Sequence, residues 1–153
     1  MDGVSVISRD TTIPATSQAI WDVLADFGEL GSWAGGVDHS CILNHGPDGA
    51  LPGTTRRVQI GRNVLVEHVT EADQPVTLAY DIDGLPRRMG RIANRWTLRP
   101  AGTGTAVTVT STVDIGVNPL ARGAEWIVCR VMARQSDSML AGLARHLKRS
   151  HGS

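Results

Sequence analysis

"IPATSQAIWDVLADFGELGSWAGGV", residues 13–37, carries the decision about the fold. Pro14 closes a Val-, Ile- and Thr-rich run over residues 4–13, because proline has no N–H to give to a strand ladder. Thr16 or Ser17 then caps a helix, and Ile20, Trp21, Leu24 and Phe27 recur at helical spacing as one apolar stripe. Gly28 breaks that helix after about three turns. "ELGSW" reads as one further helical turn, and "AGG" releases the chain into extended structure. A helix broken so early turns a corner; it does not cover a sheet.

Downstream the period changes to two, and six more strands can be read, seven in all. The second covers residues 37–44, and the Gly- and Pro-rich "HGPDGALPG" follows as a loop. "TTRRVQI" and "NVLVEHVT" are separated only by Gly61 and Arg62, which suits a two-residue type II′ hairpin. That turn sets Ile60 opposite Asn63, Val58 opposite Leu65 and Arg56 opposite Glu67. In "VTLAYDID" the residues Val76, Leu78, Tyr80 and Ile82 share one face, predicted to be buried. "GRIANRWTLRP" puts Ile92, Asn94, Trp96 and Leu98 inward and Arg91, Arg95 and Arg99 outward. "TAVTVTSTVD" puts Val107, Val109, Ser111 and Val113 inward.

From Pro119 to Arg149 the period returns to 3.6, with proline at a permitted first-turn position. The predicted apolar stripe of this long helix runs through Ala121, Ala124, Val128, Val131, Met132, Gln135, Met139, Leu143 and His146. No repeat, low-complexity stretch or linker divides the chain, so residues 1–153 are expected to form one domain.

Composition excludes whole classes of partner. Fifteen basic and fifteen acidic side chains give a formal net charge of zero in 153 residues, so no overall field draws the chain to nucleic acid. No stretch approaches the ~18 apolar residues of a membrane span. Cys41 and Cys129 lack metal or redox spacing, and a reduced, cytoplasmic setting is expected. No cofactor and no metal are implied; the chain is expected to be a monomer or homodimer.

The order is strand, two short helices, six antiparallel strands, long helix. Together with the opening stretch, "GTTRRVQIGRNVLVEHV", "VTLAYDI", "GTAVTVTSTVD" and the terminal helix, this order resembles the START-like (SRPBCC) superfamily across essentially the whole chain. Within it, the polyketide cyclase/dehydrase-like group is the nearest likeness. The resemblance implies an α+β helix-grip fold: a seven-stranded curved antiparallel sheet wrapped around a long C-terminal helix, with two short helices between strands 1 and 2. A helix of roughly 30 residues, about 45 Å long, can lie across such a sheet. The resemblance also implies a cavity between helix and sheet for a small hydrophobic molecule such as a lipid, a polyketide or a related aromatic or isoprenoid compound.

The inward residues supply the candidate lining of that cavity. From the sheet come Val58, Ile60, Leu65, Leu78, Ile92, Trp96 and Val109, and from the helix Val128, Val131, Met132 and Met139, whose methionines suit an adaptable wall. The polar candidates are Arg56, Glu67, Tyr80, Asn94, Ser111 and Gln135. For Arg56 and Glu67 two readings stay open: a structural ion pair, or a polar floor that binds a ligand carbonyl or hydroxyl. No nucleophile, base and orienter stand at readable spacing. If the protein is an enzyme, general acid/base catalysis by Glu67, Tyr80 or His39 is the available mechanism, as in the cyclases and aromatases it resembles. His39 faces inward only if the second strand also buries Cys41 and Leu43. A third reading is an interaction module with a filled core, docking through Trp126 on the polar side of the helix. The plant-receptor gate does not transfer, because "GLP" at residues 84–86 stands between the fifth and sixth strands; that loop, with Arg87 and Arg88, is expected near the entrance.

Overall fold

Alternation in sequence becomes alternation in space. The computed structural model describes residues 4–85, 90–114 and 122–151, with side chains in the last stretch from 126 to 149. Its elements are β1 (Val4–Ile13), α1 (Ser17–Ala25), a 3-10 segment (Phe27–Ser32), β2 (His39–Asn44), β3 (Thr55–Ile60), β4 (Asn63–Asp73), β5 (Thr77–Asp83), β6 (Arg91–Ala101), β7 (Gly104–Asp114) and α2 (Arg122–His151). The strands form one antiparallel sheet in the order β1-β7-β6-β5-β4-β3-β2. β1 and β2 are thus opposite edges, and α1 with the 3-10 segment carries the chain from one to the other. Register shifts between Ile42 and Asn44 and between Val69 and Glu71 mark bulges, which bend a sheet locally. This is the helix-grip architecture that the order of elements predicts.

The corner is made by specific residues. Thr16 is the cap, accepting the Ala19 N–H at 3.1 Å, while Ser17 pairs with Thr105. Beyond α1, Ser40 of β2 latches the 3-10 segment: its hydroxyl accepts the Gly31 N–H and donates to the Gly28 carbonyl, each at 2.7 Å. A Cβ on Gly28 would stand 2.8 Å from Ile42, so the segment lies this close to β2 only because that position carries no side chain. At the far end, the backbone of α2 at Gly142 packs against the Trp33 carbonyl. The hairpin between β3 and β4 has the predicted register, with Arg56 opposite Glu67, and Gly61 takes φ +60° as the turn requires.

One facing left open is decided, and two expectations are corrected. β2 pairs Ser40 with Val58 and Ile42 with Arg56, so Ser40 and Ile42 share the inward face and His39, Cys41 and Leu43 point away from it. All three are exposed. Val76 is exposed because it closes a turn, its N–H donating to the Asp73 carbonyl, before β5 begins. Val131 is 52% exposed: the buried stripe of α2 runs through Val128, Met132, Ser136, Met139, Leu140, Leu143 and Leu147, leaving Val131 at its edge. α2 begins at Arg122 among the described residues; Pro119, Ala121, the Ala124 side chain and Arg87–Arg88 lie outside them.

The core between sheet and helix is continuous. Ile20, Trp21, Leu24 and Phe27 join Leu78, Trp96, Leu98, Val107 and Val109 of the sheet and Leu143 of α2 in one buried cluster. Trp33 meets Trp96 edge to face, with ring centroids 6.0 Å apart.

Candidate functional site: a cavity between sheet and helix

The hydrophobic core does not fill the space under α2. A cavity of about 240 Å³ remains, walled by Val58, Ile60 and Leu65 of the hairpin, Ile82 of β5, Leu30 and Val37 of the corner, and Val131, Met132 and Met139 of α2. Its polar lining is Glu67, Tyr80, Asn94 and Gln135, with Asn63 and Leu85 completing the wall. The Gln135 amide is held by the Gly35 carbonyl at 3.3 Å. Two larger depressions lie elsewhere, one beside Asp26 and His45 and one at the sheet end between Asp83 and Arg91. Neither is lined by α2.

The polar wall is a single row of side chains running across five strands. Ser111 on β7 stands directly opposite Asn94 on β6, and Asn94 opposite Tyr80 on β5. Tyr80 pairs with Val69 and Ile82 with Glu67, so Tyr80 and Glu67 are diagonal neighbours on one face, within reach of long side chains. Glu67 on β4 then faces Arg56 on β3. The Ser111 hydroxyl donates to Asn94 Oδ1 at 2.6 Å, Asn94 Nδ2 donates to the Tyr80 hydroxyl at 3.3 Å, and Trp96 Nε1 donates to the same oxygen at 3.2 Å.

Arg56 belongs to the protein and not to the cavity. Its Nε donates to Glu67 Oε1 at 2.7 Å, its Nη2 lies 2.6 Å from the same oxygen as an ion pair, and its Nη1 donates to the Phe27 carbonyl at 2.9 Å. The guanidinium carbon lies 3.6 Å from the Phe27 ring centroid and 4.9 Å from that of Tyr80. Arg56 is 3% exposed and Glu67 5%, so the pair is buried. Burial pushes the Tyr80 phenol above its ordinary value, and the Glu67 charge adds to the rise; Arg56 and the hydrogen bonds from Trp96 and Asn94 oppose it without reversing it. Tyr80 is therefore a proton-bearing donor at neutral pH.

Of the residues that the sequence nominates, the cavity gathers Val58, Ile60, Leu65, Glu67, Tyr80, Asn94, Val131, Met132, Gln135 and Met139. Leu78, Ile92, Trp96, Val109 and Val128 are buried in the core beside it, and Ser111 and Arg56 support it from behind. His39 does not reach it, because β2 turns that side chain outward. Leu30, Val37, Asn63 and Ile82 were not nominated, and Leu85 enters from the loop expected near the entrance. Asn63 and Ile82 were open to inference, since Asn63 faces Ile60 across the hairpin and Ile82 alternates with Tyr80; Leu30 and Val37 arrive by the corner and leave no periodic signal. Among the described residues no helix is long and apolar enough to cross a membrane, and no cluster of three or more His, Cys, Asp or Glu could hold a metal ion.

The architecture has solved counterparts. The chain superposes on Ara h 8.0201 with a TM-score of 0.74 at 17% identity, covering 94% of this chain and 97% of that one. The Zhui aromatase/cyclase from a Streptomyces species gives 0.79 at 16%, covering 95% and 94%. A Thermus thermophilus protein gives 0.77 at 18%, covering 96% and 99%. At these identities the likeness is one of fold. A comparison with curated proteins finds no match. The family model described as polyketide cyclase / dehydrase and lipid transport matches residues 6–148, nearly the whole chain, and the protein therefore belongs to that family.

Proposed function

We propose that this protein binds a small, largely hydrophobic ligand in the cavity between β3–β6 and α2, and that binding rather than turnover is its primary activity. The observation that carries the reading is the cavity itself, an apolar chamber with one polar wall. At about 240 Å³ it is below the roughly 300–1,000 Å³ of drug-sized pockets, which favours a compact ring compound over an extended acyl chain. Membership of a family described by both cyclases and lipid transport supports a hydrophobic ligand without choosing between them.

A second reading, cyclisation or dehydration by general acid/base catalysis, is favoured by one feature: Tyr80 and Glu67 both line the cavity, a proton donor beside an acceptor. Tyr80 serves it as the proton-bearing partner, its raised value keeping the proton on the phenol at neutral pH.

A fluorescent apolar probe tests the first reading. Binding is expected to saturate at one site and to be lost in Leu65→Trp, which fills the cavity from the hairpin, while the circular dichroism of the fold is kept. Equal binding by a folded Leu65→Trp variant refutes the site. Sustained turnover of a polyketide-like substrate that Glu67→Gln abolishes without loss of affinity would replace the first reading by the second.

A further inference from the structure

The polar row leaves two hydrogen-bonding valences unspent, and they are complementary. Tyr80 Oη receives both Asn94 Nδ2 and Trp96 Nε1, so its lone pairs are engaged, yet no acceptor among the described residues takes its own proton. Glu67 Oε1 takes both guanidinium contacts, one a hydrogen bond and one an ion pair, and Oε2 makes no hydrogen bond among the described residues. Among the described residues the buried polar side-chain atoms without a partner are Trp33 Nε1 and Ser136 Oγ, and Oε2 is not one of them. It therefore borders open space, and the cavity is the space that Glu67 lines. Tyr80 and Glu67, diagonal neighbours on one face, both line that chamber, one with an uncommitted proton and the other with an uncommitted oxygen.

One chemical group satisfies both at once. A neutral hydroxyl accepts from the Tyr80 O–H and donates to Glu67 Oε2. A ketone meets only Tyr80 and leaves the carboxylate oxygen desolvated against carbon, which is costly when the group is buried. A carboxylate fares worse: Arg56 offers it no contact, being spent on Glu67 and Phe27, and Glu67 opposes a second negative charge at short range in a medium of low dielectric. We propose that the cavity selects an uncharged, hydroxyl-bearing ring compound, a phenol or alcohol, over the matching ketone, carboxylate and bare hydrocarbon. This rests on the binding reading above and adds the class of ligand.

The Asn94 and Ser111 contacts make the donor directional. Ser111 donates to Asn94 Oδ1, which fixes the amide so that Nδ2 faces Tyr80, and that bond with the one from Trp96 turns the phenol proton away from the sheet. A tyrosine held by no donors would rotate its proton freely and discriminate less.

Four two-ring probes, matched in shape, test the proposal by calorimetric titration: naphthalene, 2-naphthol, 2-acetylnaphthalene and 2-naphthoate. The expected order is naphthol first, bound roughly tenfold or more above naphthalene, then the ketone, with naphthoate weakest. Naphthol and naphthalene bound alike, or naphthoate bound as tightly as naphthol, overturns the proposal while leaving the cavity reading in place. Failure of all four, naphthalene included, overturns both. Tyr80→Phe is expected to erase the preference for naphthol over naphthalene. Because that change also strips Asn94 and Trp96 of their acceptor, the wild-type ranking stands as an independent measurement. Glu67→Gln gives a third: naphthoate is expected to gain affinity by tenfold or more when the opposing charge is removed, and no gain counts against the proposal.

Discussion

Removing the Glu67 carboxylate is the sharpest test of how the sheet is held. In the wild-type chain Arg56, 3% exposed, is matched by Glu67, 5% exposed, with two guanidinium nitrogens against a single carboxylate oxygen. Glu67→Ala leaves Arg56 charged, buried and holding only the Phe27 carbonyl and the faces of two rings. A buried pair broken on one side costs about 3–5 kcal/mol, against under ~1 for a solvated pair. For a chain of this size that is a fall in Tm of roughly 10 °C or more. Replacing both partners, Arg56→Met with Glu67→Leu, is expected to recover most of the loss, since no charge is then stranded; the remainder is the bond to Phe27 and the ring contacts. Chemical denaturation of the two single variants and the double variant completes the cycle. A cost below ~1 kcal/mol for Glu67→Ala, or a double variant worse than either single one, refutes the account of a shielded pair.

Two other perturbations address the phenol and the corner. Tyr80 is the only tyrosine in the chain, so phenolate absorbance in the ultraviolet reports this group alone. Its value in the folded state is raised, so the unfolded chain gives up the proton first: stability is full below pH ~10 and is lost as pH rises beyond it. Phenolate is expected to appear together with the loss of circular dichroism, and a tyrosine that ionises near pH 10 in a chain still folded contradicts the burial argument. At Gly142 a Cβ would stand 2.2 Å from the Trp33 carbonyl oxygen, so Gly142→Ala is expected to destabilise by ~2 kcal/mol or more despite alanine's helix propensity. A stabilising alanine, read by thermal denaturation, would show that α2 does not dock against the corner there.

Legibility in this chain follows the reach of local rules. A two-residue turn at Gly61–Arg62 dictates register, and register places Arg56 beside Glu67 without any knowledge of the sheet around them. Strict alternation in β6 and β7 likewise puts Asn94 and Ser111 inward. β2 escapes the same rule because no hairpin ties it to β3: ten residues intervene, and its parity is settled by the corner, where Ser40 must reach Gly28 and Gly31. The facing of His39, left open by the sequence, is decided there. On α2 the stripe is broad, and periodicity alone does not separate Val131 at the cavity mouth from Met132 beneath it.

The least legible feature is the one with most chemical consequence. Every pairing in the row from Ser111 to Arg56 is short-range, strand to neighbouring strand, yet the row exists only because five strands put a polar residue at one level of the sheet. No single motif encodes it, and each member taken alone has an ordinary structural explanation. What distinguishes it from scattered core polarity is the direction of donation: Ser111 to Asn94, Asn94 and Trp96 to Tyr80, and Arg56 to Glu67. Donors converge on Tyr80 from one side and on Glu67 from the other. A wall that spent every valence on itself would be structural; this one, converging from both ends, leaves a proton and a lone pair uncommitted, and the proposed preference for a hydroxyl rests on that remainder.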